Sequence, residues 1–208
     1  MSDKDSEIDF QEYQDVGDEL LAEAKGAVGV TLPDDMHPFA RRLVYVIDGF
    51  SDWQGRLVCL MVVPIIFAMV YEVIMRKFFI APTLWAFDIS RMLYGMSFML
   101  GAAYALMRGL HIRADFLYRG MSERTQGRVD LILYILFFMP AMILLLSATQ
   151  EFALKSYGQN ETAGDSTWAP IVWPVKFALA IGVFFLIIQG ISEILKSWYA
   201  ATRGKWPI

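Results

Sequence analysis

The sequence predicts an all-α membrane protein: four transmembrane helices plus an interfacial amphipathic helix between the first and second. Three observations carry that fold class. Hydrophobic residues make up 56% of the 208. They are gathered into long blocks, whereas a soluble domain would spread them at a period of 3.6 or 2. Basic residues stand between the blocks, and tryptophans (Trp53, Trp85, Trp168, Trp173, Trp198) stand near their ends, where amphipathic rings settle at a membrane interface.

Residues 1–40 are acidic, with Asp3, Asp5, Glu7, Asp9, Glu12, Asp15, Asp18, Glu19, Glu23, Asp34 and Asp35 against Lys4 and Lys25. So acidic and aromatic-poor a segment cannot bury enough apolar surface to fold alone. It is expected to be a flexible cytosolic tail with one short helix around Asp18 to Val28. No basic region precedes a short apolar core here, so the first membrane helix is expected to direct insertion itself.

The membrane domain is placed at residues 41–200. Its first span is Leu57 to Met75, nineteen residues that cover about 28 Å as a helix, close to the hydrocarbon thickness of a bilayer. Pro64 is tolerated there because neighbouring helices can satisfy the freed carbonyl. The stretch Arg76 to Ser90 mixes aromatics, charges and Pro82, which reads as the interfacial amphipathic segment. The second span, Met92 to Met107, is short unless Arg91 and Arg108 snorkel at its ends. A basic loop to Arg128 leads into the third span, Val129 to Glu151, with Pro140 at its middle. A polar loop, Phe152 to Pro170, precedes the fourth span, Ile171 to Leu195, and residues 201–208 form a short cytosolic tail. No internal repeat is visible, so the repeat architecture of a self-sufficient transporter is not expected.

Arginines crowd the regions before span one, between spans two and three, and at the C-terminal end, which places both termini in the cytoplasm. The basic residues are interspersed rather than clustered, so nucleic acid is excluded as a partner. Cys59 is the single cysteine and can form neither an internal disulfide nor a thiolate metal site. A bis-histidine haem needs two imidazoles on facing helices, yet the only histidines are His37, in the tail, and His111. No Gly-x-Ser-x-Gly, HExxH or phosphate-loop motif occurs, so the chain is expected to have no catalytic site and no cofactor of its own.

Charges at membrane depth are costly and face protein or water. Glu72 and Arg76 have the i, i+4 spacing of a helical ion pair. A coupling-ion site is the sharper reading of Glu72, but its place at the end of the span favours a structural or partner-contacting pair. Asp88 and Arg91, at i, i+3, are weighed the same way. Lys176, one turn into span four, is expected to snorkel towards a phospholipid or a partner carboxylate. Ser97, Gly101, Ala105 and Gly109 recur every four residues along span two, and Ala178, Gly182 and Gly190 lie along span four. Such small-residue stripes let helices approach closely, within the chain or against another subunit.

The run GAAYALMRGLHIRADFLY, Gly101 to Tyr118, contains His111 and Asp115 and resembles the signature of the DctQ-type small membrane subunit of tripartite ATP-independent periplasmic (TRAP) transporters. Glu72-x-x-x-Arg76, Trp85-x-x-Asp88 and Trp173-Pro-x-Lys176 resemble further family features, and the likeness covers about residues 41 to 200. The resemblance implies a non-enzymatic subunit of an organic-acid importer in the bacterial inner membrane, for C4-dicarboxylates or related carboxylates. It further implies two protein partners: a large membrane subunit of DctM type that uses a sodium gradient, and a periplasmic substrate-binding protein. In that setting Glu72, Arg76, Trp85, Asp88, Arg91, His111, Asp115 and Lys176 become candidates for partner contact or structural ion pairing. Rival readings are a membrane anchor of a redox enzyme complex and an autonomous small channel. The first would need haem or quinone ligands, and the second a charge at the centre of a span.

Overall fold

The computed structural model describes residues 32–33, 36–109 and 120–207. Within it, His37–Trp206 form one compact unit that holds all the described helices. The expected helix around Asp18 to Val28, and His111 and Asp115, lie outside the described residues.

The described residues are helical apart from turns, links and one isolated antiparallel bridge, Thr162 with Ile171. In chain order the helices are α1 Pro38–Leu60, α2 Val62–Phe78, α3 Ala86–Met107, α4 Glu123–Leu133, a π-helical turn Tyr134–Phe138, α5 Met139–Gly158 and α6 Trp173–Arg203. Both interruptions of the long apolar helices have a proline as their cause. Pro64 has no N–H to give to the carbonyl of Leu60, and the chain turns at Met61, whose N–H bonds to Val58 O at 3.0 Å. Pro140 likewise cannot bond to Leu136, and the turn before it widens so that Met139 N–H returns to Tyr134 O. A proline that removes one rung of the ladder is accommodated in this way by a local change of helix type.

Three helical stretches are long and apolar enough to cross a membrane: Pro38–Phe78, Glu123–Gly158 and Trp173–Arg203. The expected second span is α3, which begins at Ala86, six residues earlier than its apolar block. It thus takes in Asp88 and Arg91, and it falls short of the apolarity of the other three. The expected interfacial helix is corrected: residues 79–85 are a non-helical link, α2 runs on through Arg76 and Lys77 to Phe78, and α3 starts after Trp85. Ile80, at φ 52°, lies in the left-handed region that a β-branched residue rarely adopts, and Pro82 follows it. Neither position can continue a helix. The amphipathic helix of the chain is α1 instead. It buries Val44, Ile47, Asp48, Ser51, Gln54 and Gly55 along one face.

α6 is the central helix, packing against α1, α3, α4 and α5, while α3 also packs against α1 and α2. Of its most apolar stretch 44% is buried inside the chain, against 11% for Pro38–Phe78 and none for Glu123–Gly158. The outward faces of α2, the π turn and α5 therefore carry exposed apolar side chains, Ile66, Phe67, Val70, Leu136, Phe137 and Leu144 among them.

The small residues divide by role. At Gly182 a Cβ would stand 2.6 Å from the carbonyl oxygen of Met99, so α6 meets the backbone of α3 there; at Gly190 it would meet the Phe138 ring. At Gly101 a Cβ would lie 3.7 Å from Val58, an ordinary contact within the chain. Ser97 donates to Tyr94 O within its own helix, and Ala105 is half-buried. Gly109 is exposed at φ 65° with nothing near it, and its N–H bonds to Leu106 O. It ends α3 rather than extending the stripe, as a left-handed residue after a helix commonly does.

Gly182→Ala should lower stability by about 1–3 kcal/mol, the usual cost of overpacking a tight contact, whereas Gly101→Ala should change it little. Thermal unfolding of the two variants in the same detergent checks this.

Candidate functional site

The C-terminal ends of α2 and α5 and the N-terminal ends of α3 and α6 gather the sequence-predicted charges, together with the two loops that connect these helices. The first loop is the link 79–85. Glu72 is buried, and its carboxylate accepts from Arg76 Nε at 3.0 Å and Nη2 at 2.5 Å. Its other oxygen accepts from the backbone N–H of Thr83 at 2.8 Å and from the Thr83 hydroxyl. One carboxylate thus folds the link back onto α2, with Arg76 and Lys77 in the last turn, where cations favour the helix dipole. Phe79 and Ala81 both donate to Met75 O, at 3.2 and 3.1 Å. Trp85 closes the link by stacking on Tyr71, ring centroids 5.8 Å apart.

The second loop, residues 159–172, is tied at three points. Near its start Glu161 pairs with Lys176, whose ammonium also stands 3.8 Å from the centre of the Phe152 ring. Thr162 bridges Ile171, with Ala163 N–H to Pro170 O at 2.9 Å and Val172 N–H to Glu161 O at 3.0 Å. At the tip, Arg91 grips Asp165 with both terminal nitrogens, while the Ser166 hydroxyl donates to Asp88. Asp88 is buried, in the first turn of α3, 3.4 Å from Arg91 Nη2. Behind the loop Tyr157 and Trp173 meet edge-on at 5.3 Å.

Sequence spacing found Glu72 with Arg76 and Asp88 with Arg91 because local pairs are fixed by helix geometry. It missed Thr83, Glu161, Asp165 and Ser166, whose partners lie 11 to 78 residues away. The available signal was charge complementarity: the 152–170 loop is acidic and almost without basic residues, while Arg91 and Lys176 stand at the helix ends beneath it. Lys196, just past the end of the fourth apolar block, is buried within α6. At the opposite end, Arg108 closes α3 by pairing with Asp52 of α1 at 2.9 Å and lying over the Tyr104 ring. Among the described residues no group of three His, Cys, Asp or Glu is placed to hold a metal ion.

The side chains at the loop end fix the loops and leave charge on the outside: Arg76 is 69% exposed, Arg91 46% and Asp165 64%. Exposed Trp168 and Leu84 stand beside them. Mixed charge with aromatic and apolar side chains on a tied-down surface suits contact with another protein.

The family model described as tripartite ATP-independent periplasmic transporters, DctQ component, matches residues 65–199. Among individually curated proteins none matches the chain.

The hydrogen bond from Lys176 holds the Glu161 carboxyl below its ordinary value of 4.5, and that from Arg91 holds Asp165 below 3.8. Both are acids held low. Their ties are therefore complete above those ordinary values and are lost as the pH falls through the lower values of the folded chain. Proteolysis within residues 159–172 should stay constant from neutral pH to about pH 5 and rise below about pH 4. Lys176→Ala should raise it already at neutral pH. Digestion with an acid-tolerant and a neutral protease checks both.

Proposed function

The chain belongs to the DctQ component family of tripartite ATP-independent periplasmic transporters, a family of transporter components and not of enzymes, and from that premise we propose how it serves such a system. It is the small permease subunit of an organic-acid importer, taking C4-dicarboxylates or related carboxylates. It scaffolds the large membrane subunit, which carries the transport site and uses the sodium gradient, and it holds no cofactor itself. The observation that carries this reading is the extent of the family match, which runs from α2 into the last turns of α6 and so covers both tied loops and the central helix.

In this reading all of α1–α2, α3, α4–α5 and α6 cross the inner membrane, with both termini in the cytoplasm. α3 is flanked by α1, α2 and α6, so it needs less apolar surface than a helix ringed by lipid. The exposed faces of α2 and α5 are covered by lipid and by the large subunit. The loop end faces the periplasm, and Arg76, Arg91, Asp165 and Trp168 help dock the substrate-binding protein. The distribution of arginines supports that orientation.

Affinity purification of the tagged chain from its native membrane in mild detergent should recover a much larger polytopic protein in about equal amount. Recovery of a flavin or iron–sulfur subunit, or of the chain alone, would refute the assignment. In a Cys59→Ser background, cysteines introduced at Leu84 and Trp168 should react with a membrane-impermeant maleimide added outside spheroplasts. Labelling only after the membrane is broken would reverse the orientation.

A further inference from the structure

Between α1 and α6, away from the loop end, lies a polar seam that the transport reading does not use. Asp48 is 3% exposed, Glu193 5% and Lys196 7%, while Gln189 and Ser192 are fully buried. Lys196 Nζ donates to Glu193 Oε1 at 2.8 Å. It also lies 2.8 Å from Asp48 Oδ2, a buried oxygen aimed into the seam that has no other donor among the described residues. Asp48 Oδ1 accepts from Ser192 Oγ at 2.7 Å and from Gln189 Nε2 at 3.0 Å. Gln189 Nε2 also reaches Glu193 Oε1 at 3.3 Å, and Gln189 Oε1 accepts from Ser51 Oγ at 2.6 Å. Among the described residues the second oxygen of Glu193 receives nothing.

Two carboxyl groups here share one ammonium. Were both ionised, one negative charge would be left unbalanced inside the bundle, which is costly enough that buried groups neutralise instead. The hydrogen bonds say which one does. Asp48 has two donors on one oxygen and the ammonium against the other, the surroundings of a carboxylate. Both donors to Glu193 converge on a single oxygen. We propose that this seam is a proton-binding site: it holds one proton, on Glu193 Oε2, so that an Asp48–Lys196 ion pair and a neutral Glu193 carboxylic acid together join α1 to α6. The proton belongs to the cluster, because removing either carboxyl leaves the other balanced by Lys196. The other titratable groups on the elements packed around this stretch include Tyr45, Asp52 and Arg56 of α1, Tyr104 and Arg108 of α3, Arg128 and Asp130 of α4, Tyr134 of the π turn and Tyr199 of α6, with Arg108 paired to Asp52. Nothing in this site depends on the transport assignment.

The test is infrared difference spectroscopy of the full chain in lipid nanodiscs, between neutral and alkaline pH. The wild type should show the C=O band of a protonated carboxyl, sensitive to D2O and lost on alkalinisation. Carbon-13 at the glutamate side-chain carboxyl should shift it, and the same label in aspartate should not. Glu193→Gln should abolish the band, Asp48→Asn should abolish it by freeing Glu193 to pair with Lys196, and Asp130→Asn should retain it. Absence of the band, its survival in Glu193→Gln, or a shift with labelled aspartate would overturn the proposal. The labelling needs no variant, so the outcome does not depend on any substituted chain folding.

Discussion

A polar side chain that faces the inside of an apolar bundle has to find its partner within the chain, and among the described residues α6 carries more such side chains than any other helix. Gln189, Ser192, Glu193 and Lys196 recur at helical spacing along α6, and their partners come from Asp48 and Ser51 of α1. Leaving any of these groups unpaired in a dry interior costs more than a hydrogen bond gains. The pairing therefore fixes both the register and the rotation of α1 against α6. The backbone contact at Gly182 does the same for α3, because no side chain intervenes to let the helices slide. With α1 and α3 both seated on α6, the positions of the two loops at the far end follow.

Those loops are built on a common plan. Each has a buried carboxylate on a helix, Glu72 or Asp88, that accepts from a hydroxyl of the loop, Thr83 or Ser166, and stands beside an arginine of its own helix. The two arginines then diverge. Arg76 is spent on Glu72 alone, whereas Arg91 turns outward to Asp165 and so holds the loop between α5 and α6. α3 is by this means joined to a segment more than seventy residues away in sequence, with both members of that outer pair open to solvent.

Much of this was legible in the sequence. The apolar blocks located α2, α3, α5 and α6 but not α1, most of which precedes the first block, and helical spacing brought Glu72 to Arg76 and Asp88 to Arg91. The stretch Arg76 to Ser90 was misread because a helix end, a link and a helix start together show the same mixture of aromatics and charges as one amphipathic helix. Only Pro82, read as a backbone constraint, separates the two; the left-handed turn at Ile80 has no signal in the sequence. The seam between α1 and α6 escaped for a different reason. Asp48 precedes the apolar block of its helix and Lys196 follows that of its own, so each looked like a flank. Yet the run Gln189, Ser192, Glu193, Lys196 marks one face of a helix, and Asp48 with Ser51 marks another, and a search for facing polar stripes would have paired them. Which stripe faces which is a tertiary fact, and no local spacing encodes it.

The helical lengths themselves have a consequence. Pro38–Phe78, Glu123–Gly158 and Trp173–Arg203 contain 41, 36 and 31 residues, or about 60, 54 and 46 Å of helix at 1.5 Å per residue, against a hydrocarbon layer of about 30 Å. Part of that surplus is the end where Gly127 of α4 lies against Ala200 and Ala201 of α6 and Trp206 donates to Gln126 at 3.3 Å. There the first turns of α4 present Glu123, Arg124 and Thr125 to solvent. The bundle therefore carries a helical plinth at that end, built from α4 and the last turns of α6. For a membrane protein of this size such a plinth is a handle: an antibody fragment raised against it would add the mass and asymmetry by which single particles are aligned in electron microscopy, without touching the loops at the other end.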